Sequence, residues 1–171
     1  MRSRLLLASL LVAATSVARA QAPIQLSLVT PIQIVPESKA VKGLRLNLIY
    51  GSNTAVTGLD IGLINNTTGG PSGGVQWGFV NMVTGQFTGW QASFVNMQRG
   101  AFTGLQGGVV NMSEAFEGLQ WGGFNSSTRM KGLQLGMVNY ARRTSGVQVG
   151  LVNIIKEGGQ FPIFPIVNWG K

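Results

Sequence analysis

The chain of 171 residues holds 13 Lys+Arg, 5 Asp+Glu, no Cys and no His, with 25 Gly and 44% hydrophobic residues. That length fits one domain or a short repeat array, and without Cys there is no disulfide framework, thiolate zinc site, cysteine nucleophile or cysteine-linked lipid anchor. The commonest general base and metal ligand is also missing, so the composition argues against an enzyme and against a metal or cofactor site.

Arg2 and Arg4 precede an apolar run from Leu5 to Ala14, and Ala18-Arg19-Ala20 ends the segment. A charged start, a short apolar core and a small-x-small end make a secretory signal peptide over residues 1–20. The run is too short for a spanning helix. Cleavage before Gln21 removes Arg2, Arg4 and Arg19, which lowers the net charge from +8 to +5. An exported chain is not expected to meet nucleic acid, so the basic balance points to lipid headgroups, anionic polymers or solubility.

From residue 21 onward one pattern repeats in a single β-domain. GVQWGFVN begins at Gly74 and recurs as GWQASFVN from Gly89, GLQGGVVN from Gly104, GLQWGGFN from Gly118, GLQLGMVN from Gly132 and GVQVGLVN from Gly146. Looser copies precede these from Pro23, Gly43 and Gly58, and FPIFPIVN from Phe161 closes the series, the copies starting mostly 14 or 15 residues apart. Numbered along the motif, positions 2, 4 and 6 are apolar, while 1, 3 and 5 are Gly, Gln and Gly. Such alternation marks a strand with unlike faces. Phe87, Phe102 and Phe116 before the motif, and Met82, Met97 and Met112 after it, extend the Gln/Gly side. Short connections such as Ser126-Ser127-Thr128 and Thr84-Gly85-Gln86 would join the strands, and no segment after the leader has helical periodicity.

Three arrangements follow. The first is an antiparallel up-and-down meander of about ten strands closed into a small outer-membrane barrel, its apolar side on lipid and its Gln/Gly side around a narrow lumen. Connections between copies give it weak support: alternate ones hold 12, 8, 7, 6 and 7 residues against 7, 7, 6 and 6. The apolar band would be only roughly 15 to 18 Å tall, short of the roughly 25 Å usual. The second is a parallel β-solenoid with one coil of 14 or 15 residues per copy, opposed by volume, since each coil would have to stack Leu, Trp and Phe inside a narrow interior. A soluble barrel or sandwich with the bulky side inward is the third, and it would expose glycine without return. The barrel is the preferred expectation and the solenoid its alternative.

The GLQLGMVN and GVQVGLVN copies resemble a family of exported bacterial surface-repeat proteins with G-x-Q-x-G-x-x-N repeats, found in spirochaetes and Bacteroidetes-like bacteria. The similarity covers essentially the whole chain after residue 20, including Phe161 to Asn168. It implies an envelope or cell-surface location and no catalytic residue. The Q-x-G-x-x-N spacing is also similar to that of curli subunit repeats, which are longer and poorer in Trp and Phe.

Position 3 reads Gln25, Arg45, Asp60, Gln76, Gln91, Gln106, Gln120, Gln134 and Gln148, then Ile163. These form either a polar girdle lining a pore or a set of amides satisfying one another in a filled interior. Arg45 and Asp60 stand at equivalent positions of consecutive copies and are expected to pair, since a lone charge among apolar neighbours is costly. Asn65, Asn81, Asn96, Asn111, Asn125, Asn139, Asn153 and Asn168 at position 8 read as strand-ending turn residues, or as a stacked ladder in the solenoid. Trp77, Phe79, Trp90, Phe94 and Trp121 lie on the apolar face, where lipid contact is expected, and Arg142-Arg143 reads as a solvated turn. The functional expectation is a structural or interaction protein of the envelope with outer-membrane lipid as partner, including the case of a minor pore. Its alternative is a secreted or surface-attached solenoid for adhesion or assembly, and the sequence names no surface ligand.

Overall fold

A computed structural model of the chain describes residues 21–170. The signal peptide expected over residues 1–20 lies outside them. Among the described residues the secondary structure is all strand: β1 (Ala22–Val29), β2 (Ile32–Gln33), β3 (Val41–Asn53), β4 (Val56–Thr67), β5 (Ser72–Val83), β6 (Phe87–Glu157) and β7 (Ile163–Trp169). They form one sheet in the order β2-β1-β3-β4-β5-β6-β7.

The pairing corrects the expected barrel. β1, β3, β4, β5 and the start of β6 are parallel neighbours, with Gly43 opposite Gly58, Gly58 opposite Gly74 and Gly74 opposite Gly89. Each copy therefore lies on the next in register, whereas a closed meander would alternate direction. The chain is a β-solenoid with one coil per copy as far as the copy from Gly146. β6 is a continuous extended run of 71 residues that winds through successive coils, so the short connections expected at Thr84 and Ser126 are corners of a coil, not hairpin turns. Ser127, for example, is buried inside.

The corners show in the burial pattern. In the coil from Phe87, the residues Phe87, Gln91, Asn96 and Gln98 are buried, while Thr88, Trp90, Phe94 and Arg99 are exposed. Alternation holds from Phe87 to Phe94, breaks between Phe94 and Asn96, and then resumes through Gln98 to Phe102 in the next coil. That break overturns one sequence expectation: Met112 is exposed and Met82 and Met97 are half-buried, so the methionines do not share the interior with the glutamines.

Glycine at position 1 allows the chain to re-enter the coil. Gly89 and Gly104 have φ of 139° and 133°, a region that residues bearing a Cβ avoid. A Cβ on Gly104 would also collide with the carbonyl oxygen of Gly89 in the coil beneath. The apolar interior is a column of Val83, Phe87, Phe102, Phe116, Met130 and Ala141, with a second cluster of Val35, Val41 and Val56 near the first coils. Phe87, Phe102 and Phe116 stack with centroids 5.6 and 5.4 Å apart and ring planes within 8°.

Both ends are capped. β2 pairs antiparallel with β1, Ser27 opposite Gln33. The closing copy is not a further coil, because β7 runs antiparallel to the end of β6, with Val147 opposite Trp169 and Ile154 opposite Ile163. Capping segments are what a stack of repeats requires, since an open end presents unpaired backbone groups.

Candidate functional site

The volume objection to a solenoid assumed bulky side chains inside the coil; the structure places them outside and puts amides within. Gln76, Gln91, Gln106, Gln120, Gln134 and Gln148 are at most 1% exposed and form a hydrogen-bonded column. Each Nε2 donates to the Oε1 of the glutamine one coil earlier, at 2.7 to 2.8 Å from Gln91 to Gln148. Among the described residues these side chains fill the axis themselves and do not line a pore.

The column ends on a carboxylate. Gln76 Nε2 donates to Asp60 Oδ2 at 2.9 Å, and Asp60 also accepts from Arg45 Nε and Nη2, each at 2.7 Å. Asn47 Nδ2 approaches Asp60 Oδ1 at 3.4 Å. An ionised carboxylate is a pure acceptor with about four lone-pair sites, which suits the place where a run of donors terminates. Arg45 is fully buried, and its remaining donors reach Asn66 O at 2.8 Å and Asn53 Oδ1 at 3.3 Å. Gln25 stands apart from the column, accepting from the backbone N–H of Val35 at 2.7 Å.

The asparagines of position 8 make a second column. Asn65, Asn81, Asn96, Asn111, Asn125 and Asn139 each donate Nδ2 to the Oδ1 of the asparagine in the following coil, at 2.8 to 3.0 Å. Most also donate to a backbone carbonyl of that coil, Asn111 to Trp121 O and Asn139 to Val149 O at 2.9 Å. The glutamine column donates toward the N-terminal end and the asparagine column toward the C-terminal end. Glycine at position 5 makes this possible: a Cβ on Gly78 would meet Asn65 Nδ2, and one on Gly136 would meet Asn125 Nδ2. The motif Q-x-G-x-x-N is thus a rule for filling a narrow interior.

Serine takes position 5 at Ser27 and Ser93, and the coil from Gly43 solves the problem differently. Asn47 replaces the position-5 glycine, and Gly51 stands opposite Asn65 in the register. The Asn47 side chain occupies the space a side chain on Gly51 would need and donates to Asn65 Oδ1 at 2.8 Å. A count of motif positions does not foresee this rung. Ser113 and Ser127 also brace the glutamines, their Oγ atoms donating to Gln106 Oε1 at 3.0 Å and Gln120 Oε1 at 3.2 Å.

The outer surface is divided by chemistry. Positions 2, 4 and 6, from Ile24, Leu26 and Leu28 through Val147, Val149 and Leu151, form a grid of apolar residues and glycine with no charge. Leu48, Trp77, Met137 and Leu151 are 60% or more exposed. Trp77, Phe79, Trp90 and Phe94 all lie on this face, with Phe79 stacked on Phe94 at 5.0 Å. Trp121 is half-buried, its indole covering the space a Cβ on Gly107 would take. The charges lie elsewhere on the perimeter: Lys131 pairs with Glu117 at 2.7 Å, and Arg142 and Arg143 both pair with Glu157. Those bonds hold the Glu157 carboxyl below its usual range and raise Arg142.

Among the described residues no cluster of acidic side chains could hold a metal ion, and no helix is long and apolar enough to cross a membrane. No family model, curated protein or solved structure matches this chain.

Proposed function

We propose that the chain is an exported, non-catalytic assembly protein of the bacterial surface, a rigid β-solenoid that docks through the apolar grid of positions 2, 4 and 6. One observation carries the reading: an uncharged array of exposed Leu, Ile, Val, Trp, Phe and Met runs the length of the stack. Monomeric soluble proteins seldom expose contiguous apolar patches beyond about 300–600 Å², so a face of this kind is a contact surface. Export rests on the segment from Met1 to Ala20, and placement at the cell surface on the resemblance to surface-repeat proteins. The interior supports a scaffold role, because buried amides bonded coil to coil specify one register.

Cross-linking in cells tests this. The native chain is expected in a complex heavier than itself. The folded variant Leu63→Lys/Met137→Lys, which places two cations on the grid, is expected alone. Recovery of the native chain alone, or of the variant in an unchanged complex, overturns the reading.

A further inference from the structure

We infer that the partner seated on the grid is a second copy of this chain, so that the working unit is a face-to-face dimer of solenoids. This deepens the assembly reading above and rests on it. Coils stand about 4.8 Å apart and residues about 3.3 Å apart along a strand, so the grid measures roughly 40 by 20 Å, or about 800 Å². That equals the roughly 800 Å² per partner of a standard specific interface. Its composition, with aromatic residues and Met present and charge absent, is that of an interface centre.

The capped ends favour this partner over a growing filament. β2 and β7 run antiparallel to their neighbours at the two ends of the sheet, so a further copy cannot continue the parallel, in-register stack there. Two copies also carry ridges of identical spacing, so each coil of one can lie opposite a coil of the other along the whole length.

A two-fold axis along the strand direction, passing over the coil from Gly89, runs the two stacks in opposite senses. Ala92 and Phe94 then meet their own counterparts on the axis. Leu63 meets Gly123, where the space above the backbone is open except for Val109. Leu48 meets Met137, and Leu28 meets Leu151. Large faces small at Leu63 and Gly123, and Ala92, the smallest side chain of the central coil's row, lies on the axis between Trp90 and Phe94. The contact is isologous, as a closed dimer requires.

Light scattering on the purified full chain in detergent-free buffer is the test. The native protein is expected at twice the chain mass. Ala92→Lys, which buries two like charges on the axis, is expected to raise the dissociation constant about 100-fold or more while circular dichroism stays unchanged. Leu151→Lys is expected to weaken the dimer and Leu28→Glu/Leu151→Lys to restore it, because the two positions meet across the axis. A lipid surface could not be rescued in that way. A monomeric native chain overturns the dimer, and flotation of that monomer with phosphatidylcholine vesicles would assign the grid to lipid. If the purified chain is monomeric yet the cellular complex persists, the dimer fails while the assembly reading stands. Failure of the double variant to recover overturns the antiparallel arrangement.

Discussion

Arg45 grips Asp60 through two parallel hydrogen bonds of 2.7 Å, side by side inside the solenoid and closed off from water. The pair ends the glutamine column with a full negative charge where the last donor arrives, and the guanidinium cancels that charge. Two neutral glutamines at these positions would continue the column.

Removing one partner is therefore expected to be worse than removing both. Asp60→Asn leaves the guanidinium buried and uncompensated, a loss of about 3–5 kcal/mol. Arg45→Gln/Asp60→Gln extends the amide column and is expected to recover most of that loss. Urea unfolding of the native chain, each single variant and the double variant measures the difference; a double variant as unstable as the sum of the singles would contradict it.

Glycine at the re-entry corner separates two costs. Gly104 has φ of 133° and a carbonyl oxygen where its Cβ would go, whereas Gly158 has φ of 73° and open space around it. Gly158→Ala is expected to lose about 1–2 kcal/mol from backbone strain alone. Gly104→Ala is expected to lose distinctly more, since the coil spacing must open as well. Equal losses in thermal or urea unfolding would show that steric contact between coils contributes nothing.

The closing cap contains a strained residue. Ile166 is a β-branched side chain at φ of 69°, and it is 75% exposed. A Cβ-branched residue there is an outlier, and its side chain gains little from burial. Ile166→Gly is expected to raise stability by about 1 kcal/mol, read as a higher urea midpoint. A lower midpoint would mean that the isoleucine makes contacts the cap depends on.

Acid should loosen one surface cluster. The hydrogen bonds from Arg142 and Arg143 depress the Glu157 carboxyl, so its contribution is present above the ordinary carboxylate range and is lost as pH falls through its lowered value. Because the groups are exposed, the effect is small and weakened by salt. The native chain and Glu157→Gln are expected to differ slightly in urea midpoint at neutral pH and to converge in acid. A difference that grows on acidification would contradict the sign.

Much of the local structure was legible in the residues, and the global arrangement was not. Period-2 alternation marks the strands, and the sides divide as Trp77, Phe79, Trp90 and Phe94 against Gln76 and Gln91. That alternation is the same for antiparallel and parallel neighbours, so it cannot choose between a meander and a coil. The informative signal was the identity of buried residues: Gln above Gln and Asn above Asn is the signature of in-register parallel stacking, where each amide meets its own kind. Asparagine at a strand end suits a turn equally well, which masks that signal. The break between positions 6 and 8 of the motif, Phe94 to Asn96 in one coil and Val109 to Asn111 in the next, is invisible to a strict two-residue period, which is why that period puts Met112 on the wrong side. The exchange of Asn47 and Gly51 lies beyond any one-dimensional pattern, because one side chain does from position 5 what position 8 does elsewhere.

The opposed senses of the two amide columns bear on how long such a protein can be. A single file of aligned amides would build a larger electric moment with every coil added, and its ends would attract ions or resist extension. Paired files pointing opposite ways offset one another at each step, so inserting or deleting a unit leaves the ends electrically as they were. Length in this architecture is free to vary by duplication, and selection can set it by how much surface the stack must offer.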